Sequence, residues 1–202
     1  MSQSLPLLED KSTPELVEND WITNFFDKCR TVSDSDMQRL WAYVLATEAN
    51  SPGSFSRKTV NLIADLDRSD AEMFGRLCSF GWEIESFTPL VFDFNAKIYI
   101  DNGVDFESVN RLENLGLLHM NGGIGGYAAI ELPKSFTTNY FGQSVTLTLQ
   151  FEAGNRLRLG YVILTQAGQQ LAPFCGSNPL PDFLRYVTDV WTHEGLSPLL
   201  SD

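Results

Sequence analysis

The sequence is short of positive charge. Its 202 residues carry 14 Lys and Arg against 26 Asp and Glu, a formal charge of −12. A general binder of nucleic acid or of an anionic membrane needs a cationic face, and this balance argues against both. Histidine is almost missing as well. His119 and His193 are the only two, and neither has a cysteine or second histidine at metal-ligand spacing. Cys29, Cys78 and Cys175 are odd in number and widely spaced, which excludes a disulfide framework and reads as buried, reduced thiols. The longest apolar stretches, 89–94 and 160–164, are far too short to span a bilayer. Residues 1–20 have neither the cationic start nor the apolar run of a signal peptide, so a cytoplasmic location is expected. A Walker loop, Gly-x-Ser-x-Gly, Cys-x-x-Cys and His-Glu-x-x-His are all missing. The expectation is a protein without cofactor or metal that is not an enzyme.

What is present suits a folded core, with 43% of residues apolar. Residues 1–12 read as a flexible leader. Ser12-Thr13-Pro14-Glu15 has capping-box spacing and opens a helix carrying Trp21, Phe25 and Cys29. Asp34 and Asp36 start a second helix with the stripe Met37, Leu40, Trp41, Val44, ended by Asn50-Ser51-Pro52-Gly53. Ser56 caps a third, and Ser69 with Glu72 boxes a fourth. Residues 13–83 therefore read as a four-helix bundle. From there the period changes. Residues 89–94 and 97–100 are β-branched and aromatic, and read as strands. A helix over 105–115 places Phe106, Val109 and Leu112 inward and ends at Gly116. Strands are expected at 117–120, 127–132, 145–151 and 156–164, the last two joined by a turn at Ala153-Gly154-Asn155. Thr165 caps a further helix, and 182–193 forms the last. Helix, strand, hairpin, then Leu164-Thr165-Gln166-Ala167-Gly168 is a winged-helix rhythm. The fold class expected is α+β, with the bundle followed over 84–202 by a winged-helix-like domain that has a β-hairpin wing and C-terminal helices.

Three segments carry a resemblance: Asp20-Trp21-Ile22 with Phe25-Phe26, Ser33 to Ala42, and Glu48 to Ser56. Together they resemble a bacterial family catalogued as domain of unknown function 2806. The Gln38-x-Leu40-Trp41-Ala42 helix and the Ser-capped helices after it are more loosely similar to abortive-infection alpha proteins of phage defence. The resemblance implies a bacterial or phage protein of the cytoplasm with a link to host–phage conflict. It carries no catalytic residues.

Several local patterns look like chemistry and are better explained as structure. Gly123-x-Gly125-x-x-Ala128 imitates a dinucleotide loop, but a strand ending in Pro133 follows where a helix is needed to aim amides at pyrophosphate. Asp65-x-Asp67-x-Ser69 begins like a calcium loop, yet Asp70 stands at the glycine position and Arg76 at the glutamate position. Arg156 and Arg158 share one strand face near a hairpin tip, and Ile124 and Tyr127 lie in or beside a glycine-rich loop. Arginine and tyrosine dominate binding hot spots, so Ile124, Tyr127, Arg156 and Arg158 are the candidate contact residues for a protein partner or for self-association. The alternative is a winged-helix DNA-binding regulator. It is disfavoured because Asp105, Glu107 and Glu113 outnumber Arg111 on the helix that would read the groove.

Overall fold

The computed structural model describes residues 12–121, 127–149 and 151–200. The leader over 1–11, the 122–126 loop and Ile124 lie outside the described residues.

Short side chains at the helix starts set the first half. α2 (Ser35–Asn50) begins at Asp34, whose carboxylate accepts from the Asp36 and Met37 amides at 3.0 Å each. α3 (Arg57–Asp65) begins at Ser56, whose hydroxyl accepts from the Thr59 amide. α4 (Arg68–Cys78) begins two residues earlier than expected. Asp67 and Asp70 form the reciprocal box, and Ser69 donates to Asp67 instead of capping. α1 (Asn19–Cys29) begins five residues later than expected. Pro14–Leu16 makes only a 3-10 turn, because Val17 and Glu18 are extended and the Thr13 amide is tied to the Ala49 carbonyl of α2.

These helices bury their aromatic rows. Trp21 stacks on Phe25 at 5.0 Å, and Trp41 meets Phe25 edge-on at 5.1 Å. The Trp21 indole N–H donates to the Phe55 carbonyl at 2.8 Å. The Glu48 carboxylate is buried and accepts from the Gly53 and Phe55 amides at 2.6 and 2.8 Å, which fastens the turn after α2. α1 packs on α3, while α3 also packs on α7 (Gln166–Leu171) and α4 on α6 (Phe106–Asn114).

β1 (Gly81–Ile84) and β2 (Ser86–Pro89) form a tight antiparallel pair. β5 (Ser135–Tyr140) and β6 (Gln143–Thr148) form a hairpin over Phe141-Gly142, both at positive φ, which matches a two-residue turn of the type that follows strand twist. With β9 (Ser197–Leu200) they make a five-stranded antiparallel sheet in the order β2-β1-β5-β6-β9. α8 (Phe183–His193) fills one side: Trp191 meets Trp82 edge-on at 4.9 Å, and Phe183 meets Phe80 at 4.8 Å.

The remaining strands form one long ribbon with two limbs. β3 (Leu118–Met120) pairs with β8 (Val162–Leu164), and β4 (Ala128–Leu132) with β7 (Asn155–Gly160). The β5–β6 hairpin lies in sequence between the ribbon's outer strands. Three strand expectations are corrected here. Residues 89–94 continue past β2 as a single parallel bridge, Val91 to Gly160. Residues 97–100 form a helical turn, α5, because Tyr99 is drawn into the core, where its hydroxyl donates to the Leu90 carbonyl at 2.8 Å. The 153–155 turn does not join a hairpin. The Asn155 side chain bonds to the Phe151 amide and carbonyl and to the Leu132 carbonyl, so β7 is handed to β4 and not to β6. β1, β5 and β9 carry no strand expectation at all.

The two sequence halves are joined by specific contacts. Thr59 donates to Gln170 at 2.6 Å, and Arg111 of α6 reaches Asp70 of α4 at 2.6 Å. One continuous apolar core runs from Trp21 to Trp191. Among the described residues, no helix is long and apolar enough to cross a membrane.

Candidate functional site

Gly160 decides which side chains the ribbon shows outward. Its φ is 100°, and a Cβ there would run into the Val91 carbonyl. The register shifts beside it: Ala128 lies opposite Gly160, while Ala129 lies opposite Arg158. This bulge moves the alternation by one residue, so Leu157, Leu159 and Val162 are buried while Arg156, Arg158, Tyr161 and Ile163 share the outer face.

That face carries a chain of rings in contact. Phe106, at the first turn of α6, meets Phe94 edge-on at 5.9 Å. Phe94 stacks on Tyr161 at 5.6 Å. The Arg158 guanidinium lies 6.0 Å from the Tyr161 ring, 5.1 Å from Tyr127 and 5.6 Å from Phe92. The two ends of the chain are open to solvent: Phe106 is 60% exposed and Tyr127 52%.

Of the residues singled out from sequence, Tyr127 and Arg158 are brought together, and Arg156 lies two residues along the same face. Arg158 is not the exposed arginine that its position near a hairpin tip suggests. Its side chain is only 27% exposed, it donates to the Phe92 carbonyl at 2.7 Å, and it pairs with Glu194 at 3.4 Å. Arg156 is exposed and has no ion pair among the described residues. Phe94, Tyr161 and Phe106 are members that sequence reasoning missed. Phe106 reads as an inward residue, yet only Val109 and Leu112 of that stripe are buried. The available signal was angular: Phe106 sits about 120° around the helix from Leu112, at 100° per residue.

The phenols behind the face are held neutral. Burial pushes the Tyr99 hydroxyl well above the ordinary tyrosine range, and burial also raises Tyr186. Tyr99 is a positioning residue, since its hydroxyl also accepts from the Phe92 amide and so fixes the segment leading to Phe94. Acids flank the rings in sequence: Asp93 beside Phe94, Glu107 beside Phe106, and Glu131 opposite Arg156. The arrangement supplies ring faces and a bound guanidinium with acids adjacent in sequence, which is equipment for recognition. Among the described residues, no group of three His, Cys, Asp or Glu side chains is placed to hold a metal ion. Asp67 of the calcium-like stretch serves as the cap of α4.

A family model described as "Protein of unknown function (DUF2806)" matches residues 1–188. No curated protein and no solved structure matches the chain.

Proposed function

The chain belongs to this family of unknown function, and on that premise we propose that it is a cytoplasmic protein-interaction module whose partner presents a cationic segment to the aromatic face. The observation that carries the reading is the contact chain Phe106–Phe94–Tyr161 with Arg158 and Tyr127, open at both ends. Exposed apolar groups in contact with one another, as opposed to scattered singly, mark interaction surfaces. The occupant follows from charge. A molecule of net −12 steers and holds positive partners, and ring faces beside carboxylates accept Arg or Lys. Arg158 already makes this contact from within the chain.

The element order supports a winged-helix-like reading of the scaffold. Apart from the β1–β2 pair after α4 and the β5–β6 hairpin inserted between β4 and β7, the order from α4 to β8 is helix, the Val91 bridge, α5, α6, β3, the β4–β7 wing and β8, that is helix, strand, two helices, strand, wing and strand. Two observations weigh against DNA as the occupant. Arg111 on α6 is engaged by Asp70 and Asp67, and Arg158 by Glu194. The looser likeness of the second helix to abortive-infection alpha proteins directs the partner search to phage-encoded and phage-responsive proteins.

The test uses the full chain against an array of Arg- and Lys-bearing peptides and the same peptides with Glu in their place. Cationic peptides should be retained, less so at high salt, and Phe106→Ala or Tyr127→Ala should weaken retention about tenfold. Equal retention of both peptide sets would reject the reading. So would sub-micromolar binding of duplex DNA that is lost in Arg156→Ala.

A further inference from the structure

A second feature shares no residue with the aromatic face. A pocket of about 360 Å³ opens between α2, α4 and the Ala172–Gly176 segment. Its walls are mainly apolar, with Met37, Leu40, Phe74, Phe174 and Cys175 among the lining residues. Arg39 and Arg68 stand at the rim, but their charges are already engaged. Arg68 contacts Glu72 at 2.8 Å, Asp36 at 3.4 Å and Asp34 at 3.7 Å, and Arg39 pairs with Asp36. The pocket therefore suits a small, largely uncharged molecule.

Cys175 is not alone there. Its backbone lies on Gly75, where a Cβ would come within 2.6 Å of the Cys175 carbonyl oxygen. Three residues on, the Asn178 amide donates to the Ser79 hydroxyl at 3.3 Å. Gly75, Cys78 and Ser79 share one face of α4, so these two contacts place the wholly buried Cys78 thiol on the face that meets the Cys175 segment. We propose that Cys175 is a peroxide-reactive thiol in this pocket and that Cys78 resolves it to a disulfide.

The electrostatics divide the two roles. The neighbouring Cys78 thiol and the Ser177 hydroxyl and amide hold the Cys175 pKa below the ordinary thiol range, against burial. The Cys175 thiol also donates to the Ala172 carbonyl at 3.0 Å, a contact that favours the neutral form, so the shift is a balance and not a full ionisation. Burial, then the hydrogen bond to Cys175, push Cys78 well above the ordinary range, so it remains the proton donor of the pair. In the first step the Cys175 thiolate attacks one peroxide oxygen. The O–O bond breaks, the second oxygen leaves and takes a proton, and Cys175 becomes a sulfenic acid. In the second step the Cys78 sulfur attacks the Cys175 sulfur. The S–O bond breaks, and the hydroxyl leaves as water with the Cys78 proton. Two thiols are oxidised to one disulfide and one peroxide is reduced to water and an alcohol, or to two waters when the oxidant is hydrogen peroxide.

Cys29 is the internal control. It stands apart from this pair and is raised by burial. The full chain is treated at neutral pH with one equivalent of hydrogen peroxide or of cumene hydroperoxide, then digested and mapped by mass without reduction. A Cys78–Cys175 crosslink with Cys29 still alkylatable is expected. The faster oxidant identifies the source, an organic peroxide seated by the apolar walls or the small inorganic one. In Cys78→Ala a sulfenic acid trapped by dimedone should accumulate on Cys175. No crosslink with either oxidant overturns the proposal. Should Cys78→Ala fail to fold, the unmodified chain still decides: Cys175 should alkylate with iodoacetamide about tenfold faster than Cys29, and equal rates reject the assignment.

Discussion

The aromatic residues of the two regions are used differently. In α1–α4, Trp21, Phe25, Trp41 and Phe74 recur at helical spacing and are buried, while Phe26 is partly covered and Tyr43 alone stays 39% exposed, stacked on Phe174. From β1 to α8, the aromatics divide between the interior and an outer row. Trp82, Tyr140 and Phe183 close the sheet's core, while Phe94, Phe106 and Tyr161 touch one another at the surface and Tyr127 joins them through Arg158. Rings that only stabilise are covered by their own scaffold. Rings that touch each other but are left half open have a further use, because the scaffold has not taken up the gain from burying them.

The largest expected effect tests the covered half. Trp41 is 4% exposed and packed edge-on against Phe25. Trp41→Ala should lower unfolding free energy by about 3–5 kcal/mol, the range for truncating a large aromatic in a core. Denaturant titration reads this directly. A midpoint unchanged from the parent chain would place Trp41 at the surface and remove the contrast.

A smaller effect separates the two arginines of the outer face. Arg158→Ala deletes a guanidinium bond to the buried Phe92 carbonyl, its ion pair with Glu194 and three ring contacts. A cost of about 1–3 kcal/mol is expected, since hydrogen bonds to charged groups lie at that level. Arg156→Ala, two residues away and exposed, should stay within about 0.5 kcal/mol. Equal costs would mean that Arg158 is a surface residue like its neighbour.

How far the sequence disclosed this arrangement depends on the range of the interactions. Caps act over three residues, and Asp34, Ser56, Asp105 and Thr165 are all legible as helix starts from their own neighbours. Ser69 is misleading because Asp67 starts the helix two residues earlier, accepting from the Asp70 amide and from the Ser69 hydroxyl. Lys97–Ile100 has strand-like composition, but one distant demand, the Tyr99 hydroxyl reaching Leu90, turns it into a helix. The pairing of β7 with β4 is equally non-local, fixed by Asn155 across 23 residues. Tyr127 and Arg158 could be named as site residues from type and turn context. Phe94 and Tyr161 could not, because their place on the outer face depends on the Gly160 bulge, a consequence of how closely Val91 approaches.

The caps themselves predict an acid limb shared by both regions. The Asp34 carboxyl is held below the ordinary range by the Met37 amide, Asp67 by the Ser69 hydroxyl and then the Asp70 amide, and Asp105 by the Ser108 amide and hydroxyl. A carboxyl with a lowered folded-state pKa contributes stability that is complete above its unfolded value of about 3.9 and is lost as pH falls through the folded value. Stability should therefore be level with respect to these groups above about pH 5 and decline below about pH 4. Replacing all three with Asn keeps a good cap but removes the titration, and should flatten that limb. An unchanged acid limb in the triple variant would assign it to other groups.

The smallest expected effect on stability is the one that most sharpens the contrast. Phe106 is as large as Phe25, yet it is 60% exposed where Phe25 is 2% exposed. It stands at the first helical position after the Asp105 cap, touching Phe94 and pointing away from the Val109–Leu112 stripe. Its truncation opens no cavity, because solvent already covers most of the ring. Phe106→Ala should change the unfolding free energy by no more than about 0.5 kcal/mol. Phe25→Ala belongs in the same range as Trp41→Ala, so two identical side-chain deletions should differ several-fold in cost. Differential scanning of the two variants at equal concentration measures this. A loss for Phe106→Ala as large as that for Phe25→Ala would mean that the ring closes a core, and the outer row would be an extension of the interior instead of a surface kept open for a partner.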